Sequence, residues 1–217
     1  AEGASAENCA KYIKPADDAA VQPEGEVSDP QPETALTALS GEGATPAAGE
    51  TVRDVRTADE LTAAIADSSV NTVKLAGDIS ISSSLTVNRT VTLDLNGQVL
   101  KYVGENEGSV IVVDGGGQLT IEDSNTSNLS HRFKPNGKLW VLDETSGAET
   151  VTGGVITGGT GYPILLYDSY YYYYGGGVYI APGGQLTMTG GNIIGCSATY
   201  GGGVCTDSEQ TVKFSMS

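Results

Sequence analysis

From Asn71 onward, apolar and polar residues alternate in short runs. In TVKLAGDISI, SLTV and TVTLDL, Val73 and Leu75 share a face, as do Ile79 and Ile81, Leu85 and Val87, and Val91, Leu93 and Leu95. A period of two is that of a strand with one buried face. Gly, Asn and Asp separate the runs and mark turns. The same reading predicts strands at 110–113 (VIVV), 118–123 (QLTIED), 178–180 (VYI), 185–189 (QLTMT), 192–194 (NII) and 212–216 (VKFSM).

Just ahead of these runs the period changes. Leu61, Ala64 and Ile65 recur at helical spacing. Thr57 and Glu60 have the spacing of a capping box, in which two side chains satisfy free amides of a first turn. Asp67-Ser68-Ser69 closes the segment. The pattern predicts one short amphipathic helix over 57–67, too short to persist without docking.

The runs also repeat. GGGVYIAPGGQLTMTGGNIIGCSATY occupies 175–200, and GGGVC begins again at 201, a repeat of 26 residues that matches Val178 to Val204. Leu186 and Met188 then match Phe214 and Met216. An earlier copy, IVVDGGGQLTIEDSN at 111–125, aligns with VYIAPGGQLTMTGGN at 178–192. A unit of that length holds about three short strands, which describes one coil of a parallel β-solenoid. Each strand then pairs with its counterpart in the next coil. The first coil has an open edge, and the 57–67 helix is placed to cover it. The expected fold is all-β: a right-handed parallel β-helix of about three strands per coil with a short N-terminal capping helix.

TADELTAAIADSSVNTVKLAGDISI resembles the amino-terminal cap and first coil of pectate-lyase-like β-helix proteins. GGGVYIAPGGQLTMTGGNIIGCSATYGGGVC resembles repeats of adhesin-like surface proteins of Gram-positive, gut-type bacteria. The resemblance covers about 57–125 and 175–217 and speaks to fold more than to function. It implies either a module that binds or spans distance, or an enzyme acting on acidic polysaccharides.

Composition adds a boundary. Residues 1–56 are rich in Pro, Ala and Glu, and PEGEVSDPQPETALTALSGEGATPAAGE has no period. This segment reads as a disordered acidic linker or stalk, with TALTAL at 34–39 as its best strand or helix candidate. Residues 57–217 then form the β-helix domain, which is expected to stop partway through a coil. The chain carries 27 acidic against 11 basic residues, a net charge of −16. Such a surface repels nucleic acid and anionic lipid and suits a secreted or cell-surface protein. No apolar stretch is long enough to cross a membrane as a helix, so no membrane insertion is expected. The three cysteines, Cys9, Cys196 and Cys205, lack zinc-site spacing, and their pairing stays open.

The candidate chemistry is sparse. Asp94, Asp114, Glu122, Asp123 and Asp143 are the carboxylates in reach of the coils, and alternation points Asp94 and Glu122 outward. No stacked pair suggests glycoside hydrolysis or a cation site. No catalytic residue, metal or cofactor is therefore assigned. HRFKPNGK, with His131, Arg132, Lys134 and Lys138, reads as a solvated loop or, less readily, a site.

The most unusual feature is the run Tyr170, Tyr171, Tyr172, Tyr173 and Tyr174, with Tyr179 close behind. In a strand, alternate members of the run face opposite ways. Tyr joins an apolar face to a polar tip, which suits glycan or protein binding. The opposed reading is a strand folded over the coil surface, burying its own rings. The expected function is a non-catalytic extracellular module for adhesion or display at a bacterial surface, binding a glycan or a host or bacterial surface protein. The alternative is the N-terminal part of a polysaccharide lyase or glycoside hydrolase whose catalytic coils lie beyond residue 217.

Overall fold

Short alternating strands, each with one apolar face, assemble here into three sheets. The computed structural model describes residues 9–10, 51–166 and 170–206. These belong to one unit, Ala1–Ile13 with Glu50–Ser217; a second unit, Lys14–Gly49, lies outside the described residues. The described residues are mostly β, with one helix among them.

The first sheet contains Val52–Val55, Thr72–Leu75, Thr90–Asp94, Gln118–Glu122 and Gln185–Met188, side by side in that order. The second contains Ile79–Ile81, Val99–Tyr102, Val155–Thr157 and Asn192–Ile193. The third contains Leu85–Val87, Ile111–Val113, Val178–Ile180 and Val204–Thr206. All these pairings are parallel. At the far edge of the third sheet, Cys9–Ala10 pairs antiparallel, setting the Cys9 backbone opposite Cys205. From Thr72 the chain visits the three sheets in rotation.

Register places like residues in columns. Val73, Leu93, Ile121 and Met188 line up across the first sheet. Ile79, Leu100, Ile156 and Ile193 do so across the second. Leu85, Ile111, Val178 and Val204 do so across the third. All twelve belong to one buried core. The hydrophobic effect thus fixes the register, because a one-residue slip would turn a whole column outward. The aligned copies at 111–125 and 178–192 stand next to each other, as do Val178 and Val204.

The helix spans Ala58–Ala66 and buries Leu61, Ala64 and Ile65, the residues expected. Thr57 caps it by accepting a hydrogen bond from the Glu60 amide. Glu60 accepts in turn from the amide of Arg56, one residue earlier than a capping box requires. The helix packs on Thr72–Leu75, Ile79–Ile81 and Leu85–Val87, one strand of each sheet. Arg89 holds its far end. The guanidinium donates to the carbonyls of Ala64, Ile65 and Val70 at 3.0, 2.6 and 2.8 Å.

The structure departs from the expected coil in three ways. Val52–Val55 stands ahead of Thr57, within the segment expected to be linker, and buries Val55 in the core. Two antiparallel inserts interrupt the rotation. One joins Ser130–Asn136 to Leu139–Leu142 and to Glu149–Thr152; the other joins Tyr162–Leu166 to Tyr170–Tyr174. The candidate elements at 34–39 and 212–216 lie outside the described residues.

Each insert exists for a physical reason. Outward positions on the sheets are apolar in places and need cover. Phe133 and Val151 of the first insert bury Val99 and Val155 of the second sheet. The tyrosine insert covers Val112, Tyr179 and Cys205 of the third sheet.

Candidate functional site

The tyrosine insert is a hairpin with Tyr162 opposite Tyr174 at its root and Leu166 opposite Tyr170 near its tip. Its root is fixed by ring packing. Tyr162 stacks on Tyr179 with centroids 4.7 Å apart, and Tyr174 stacks on Tyr200 at 5.0 Å. The Tyr173 amide donates to Thr199 Oγ1 at 3.2 Å, and the Tyr200 amide donates to the Tyr173 carbonyl at 3.0 Å. Below it, the buried hydroxyl of Ser109 lies 2.6 Å from the carbonyl oxygen of Gly175, to which it donates.

Exposure along the run does not alternate. Tyr174 is buried, Tyr173 and Tyr172 are half-buried, and Tyr171 and Tyr170 are 59% and 68% exposed. A strand lying flat on a body would alternate; a hairpin projecting from it is buried at its root and bare at its tip. Tyr174 and Tyr179 are therefore packing residues, and Tyr170 and Tyr171 are the most exposed rings of the run.

The first insert answers the question raised by HRFKPNGK, which is a strand and turn rather than a solvated loop. His131 is buried. Its Nε2 donates to the Gly97 carbonyl at 2.8 Å, since a carbonyl only accepts, and its Nδ1 lies 2.9 Å from Glu144 Oε1. The Arg132 amide donates to Glu144 Oε2 at 3.1 Å. Lys134 pairs with Asp143. The Lys134 ammonium and the hydroxyls of Ser146 and Thr145 hold the Asp143 carboxyl well below its ordinary range. The basic cluster is thus divided between structural bonds and exposed positions. Leu139 and Trp140, at the turn of this insert, stay in solvent although they are large and apolar. Trp140 is the only Trp in the chain, and in the sequence it stands in no alternating apolar pattern, directly after the charged stretch HRFKPNGK and Leu139.

The candidate carboxylates are engaged in backbone support. Asp94 occupies an outward position, as alternation requires, but is only 3% exposed. Its Oδ1 accepts from the amides of Asn96 and Ser124 at 2.8 and 2.9 Å. Its Oδ2 accepts from Ser124 Oγ and from Lys74 Nζ, the latter at 3.1 Å. Burial raises the affinity of this carboxyl for a proton, but the bonds from Ser124, Lys74 and Asn96 outweigh it, so the net shift is downward. Asp123 joins two turns by accepting from the amides of Gly97 and Gly154 at 2.6 and 2.7 Å. Among the described residues, no three His, Cys, Asp or Glu side chains gather as a metal site requires. Cys205 is disulfide-bonded and Cys196 is a free thiol, so these two are not paired with each other.

Residues 52–146 match the family model described as "Putative pectate lyase-like adhesive domain". Over that stretch, from the first strand to the first insert, the chain is similar to an adhesive-type, pectate-lyase-like domain. The tyrosine hairpin lies outside the matched residues. No curated protein and no solved structure matches the chain. No helix among the described residues is long and apolar enough to cross a membrane.

Proposed function

We propose that this chain is an extracellular, non-catalytic adhesive module that binds glycan or protein at a bacterial surface. In this reading the three parallel sheets are the faces of one right-handed parallel β-helix with the Ala58–Ala66 helix as its cap. Rotation of the chain through three sheets with register-matched columns supports the solenoid. The strong preference of parallel crossovers supports its hand.

The observation that carries the binding role is the tyrosine hairpin, anchored at its root and bare at Tyr170 and Tyr171. Large exposed aromatics on a rigid support are what a binding surface needs, because little entropy is lost on contact. The similarity of residues 52–146 to an adhesive domain supports the same role. The disulfide at Cys205 supports an oxidising, extracytoplasmic setting.

The test is retention of the purified chain on bacterial or host cells and on immobilised glycans. Binding is expected, with loss in the variant Tyr170→Ser/Tyr171→Ser. Absence of binding to every surface overturns the reading. New unsaturated or reducing ends released from polygalacturonate would favour the carbohydrate-active enzyme instead.

A further inference from the structure

We propose that the two inserts form the two walls of one binding surface, and that its ligand is an uncharged polysaccharide. This rests on the binding reading above and adds the ligand class and a second wall.

Both inserts leave large apolar side chains in solvent near their turns. Leu139 and Trp140 do so on one, and Leu165, Tyr170 and Tyr171 on the other. Trp140 is 39% exposed, whereas Phe133 and Leu142 of the same insert pack into the covered layer. An aromatic left bare beside a formed apolar layer carries more information than a scattered surface apolar residue.

Both inserts also stand on the same short segment. The main chain of Trp140 lies against Gly195, whose φ is 69°, and a Cβ there would collide with the Trp140 carbonyl oxygen. At the other end, Thr199 and Tyr200 are bonded to the backbone of Tyr173. Four residues of extended chain from Gly195 to Thr199 span at most about 14 Å. The feet of the two inserts, the main chains of Trp140 and Tyr173, are therefore separated by the length of a short oligosaccharide rather than by the width of the domain, and Tyr171 and Tyr170 follow two and three residues further along their strand. Between them run Ser197 and Thr199, small hydroxylated residues with access to solvent.

Charge selects the ligand. The chain carries −16, yet from Gly153 to Thr206 there is no Lys, Arg or Glu and a single Asp, Asp168. In the first insert Arg132, Lys134 and Lys138 balance Asp143, Glu144 and Glu149. Lys101, in register with Thr157 and lying against Gly158, adds one cation beside this segment; beyond it these two stretches offer an acidic polymer no excess of cations and a basic peptide no excess of carboxylates. What the surface offers is ring faces and hydroxyls. Neutral sugars present the matching chemistry, with C–H faces for stacking and hydroxyls for hydrogen bonds.

The experiment measures affinity of the full chain for neutral galactan and mannan beside polygalacturonate, at low salt and at about 0.5 M salt, where charge attraction is screened. Binding to a neutral polymer, little changed by salt, is expected. Trp140→Ser and Tyr170→Ser/Tyr171→Ser should each weaken it at least tenfold while thermal unfolding stays unchanged. Preference for polygalacturonate, steep salt dependence, or an unaltered affinity in Trp140→Ser overturns the proposal even where adhesion itself survives. Binding only to protein overturns the ligand class and leaves the adhesive role standing; binding to nothing overturns both.

Discussion

The ring of Tyr162 lies flat on that of Tyr179, with centroids 4.7 Å apart and planes 2° from parallel. This contact ties the hairpin to the third sheet, because Tyr179 sits on the sheet's outward face and is only 4% exposed. Replacing Tyr179 with Ser should detach the hairpin root and cost about 2–4 kcal/mol, near the lower range for losing a large buried aromatic. Tyr179→Phe should cost much less, since the stack persists. Urea unfolding measures both, and faster proteolysis of the hairpin in the Ser variant locates the damage. Equal losses in the two variants would mean that the hydroxyl rather than the stack holds the hairpin.

Arg89 closes the end of the helix as no apolar residue could. Three carbonyls at 2.6–3.0 Å, Ala64 and Ile65 in the helix and Val70 after it, share one guanidinium. Its partial burial lowers the affinity for its proton, but an arginine remains charged. Arg89→Met keeps the apolar stem and removes the donors. It should destabilise the domain by about 2–3 kcal/mol, as for hydrogen bonds from a charged donor. Arg89→Lys should recover little, because an ammonium lacks the planar fork. Amide hydrogen exchange at 61–67 should rise before that of the strands.

Acid should weaken the fold through carboxylates that it holds ionised. Asp67, after the helix, accepts from the side chain and amide of Ser69 and pairs with Arg53, which lowers its pKa to about 2. Asp94 is shifted in the same direction. A depressed folded pKa stabilises the native state fully above the unfolded value, roughly 3.9 for Asp, and loses that contribution as pH falls through the folded value. Stability should therefore be flat above about pH 5 and decline toward pH 2. The decline should be shallower in Asp94→Asn, which should also be less stable at pH 7. An unchanged acid profile in that variant would remove Asp94 from the account.

Much of this fold is legible in the chain and some is not, for reasons that particular residues make plain. Val73, Leu93 and Ile121 announce themselves by alternation, and the shared QLT of 118–120 and 185–187 announces which strands are neighbours. Val52–Val55 hides because only Val55 turns inward, beside an acidic stretch with no period. Alternation tells which way a side chain points, not what will cover it. Asp94 thus points outward, as alternation requires, yet is covered, and the outward Val99 and Val112 carry no sign in the sequence of the inserts above them. The turn before LWVL is Gly137-Lys138, closed by the pair Asn136 and Leu139, and Gly137 takes φ 63° at its first position, where a two-residue hairpin loop favours glycine. Five identical residues at 170–174 carry no pattern at all, so which rings were bare required the hairpin's geometry.

Cys196 offers a test of how tightly the corner under the inserts is closed. The residue as a whole is partly exposed, but burial of its sulfur pushes the thiol up to about 12. Its Sγ lies 3.9 Å from the carbonyls of Ile156 and Ile194, and the thiolate, not the thiol, is the nucleophile. At pH 8 the thiolate fraction is on the order of one in ten thousand, against roughly one in four for an ordinary cysteine. Iodoacetamide should therefore leave Cys196 unmodified in the native protein and label it once the chain is unfolded in urea, as peptide mass spectrometry would reveal. Gly195 sets the Trp140 main chain directly beside this corner. Gly195→Ala should lift the first insert away and make Cys196 react in the native state. Rapid labelling of the wild-type protein would mean that the corner opens readily and that the two inserts are not held to a common base.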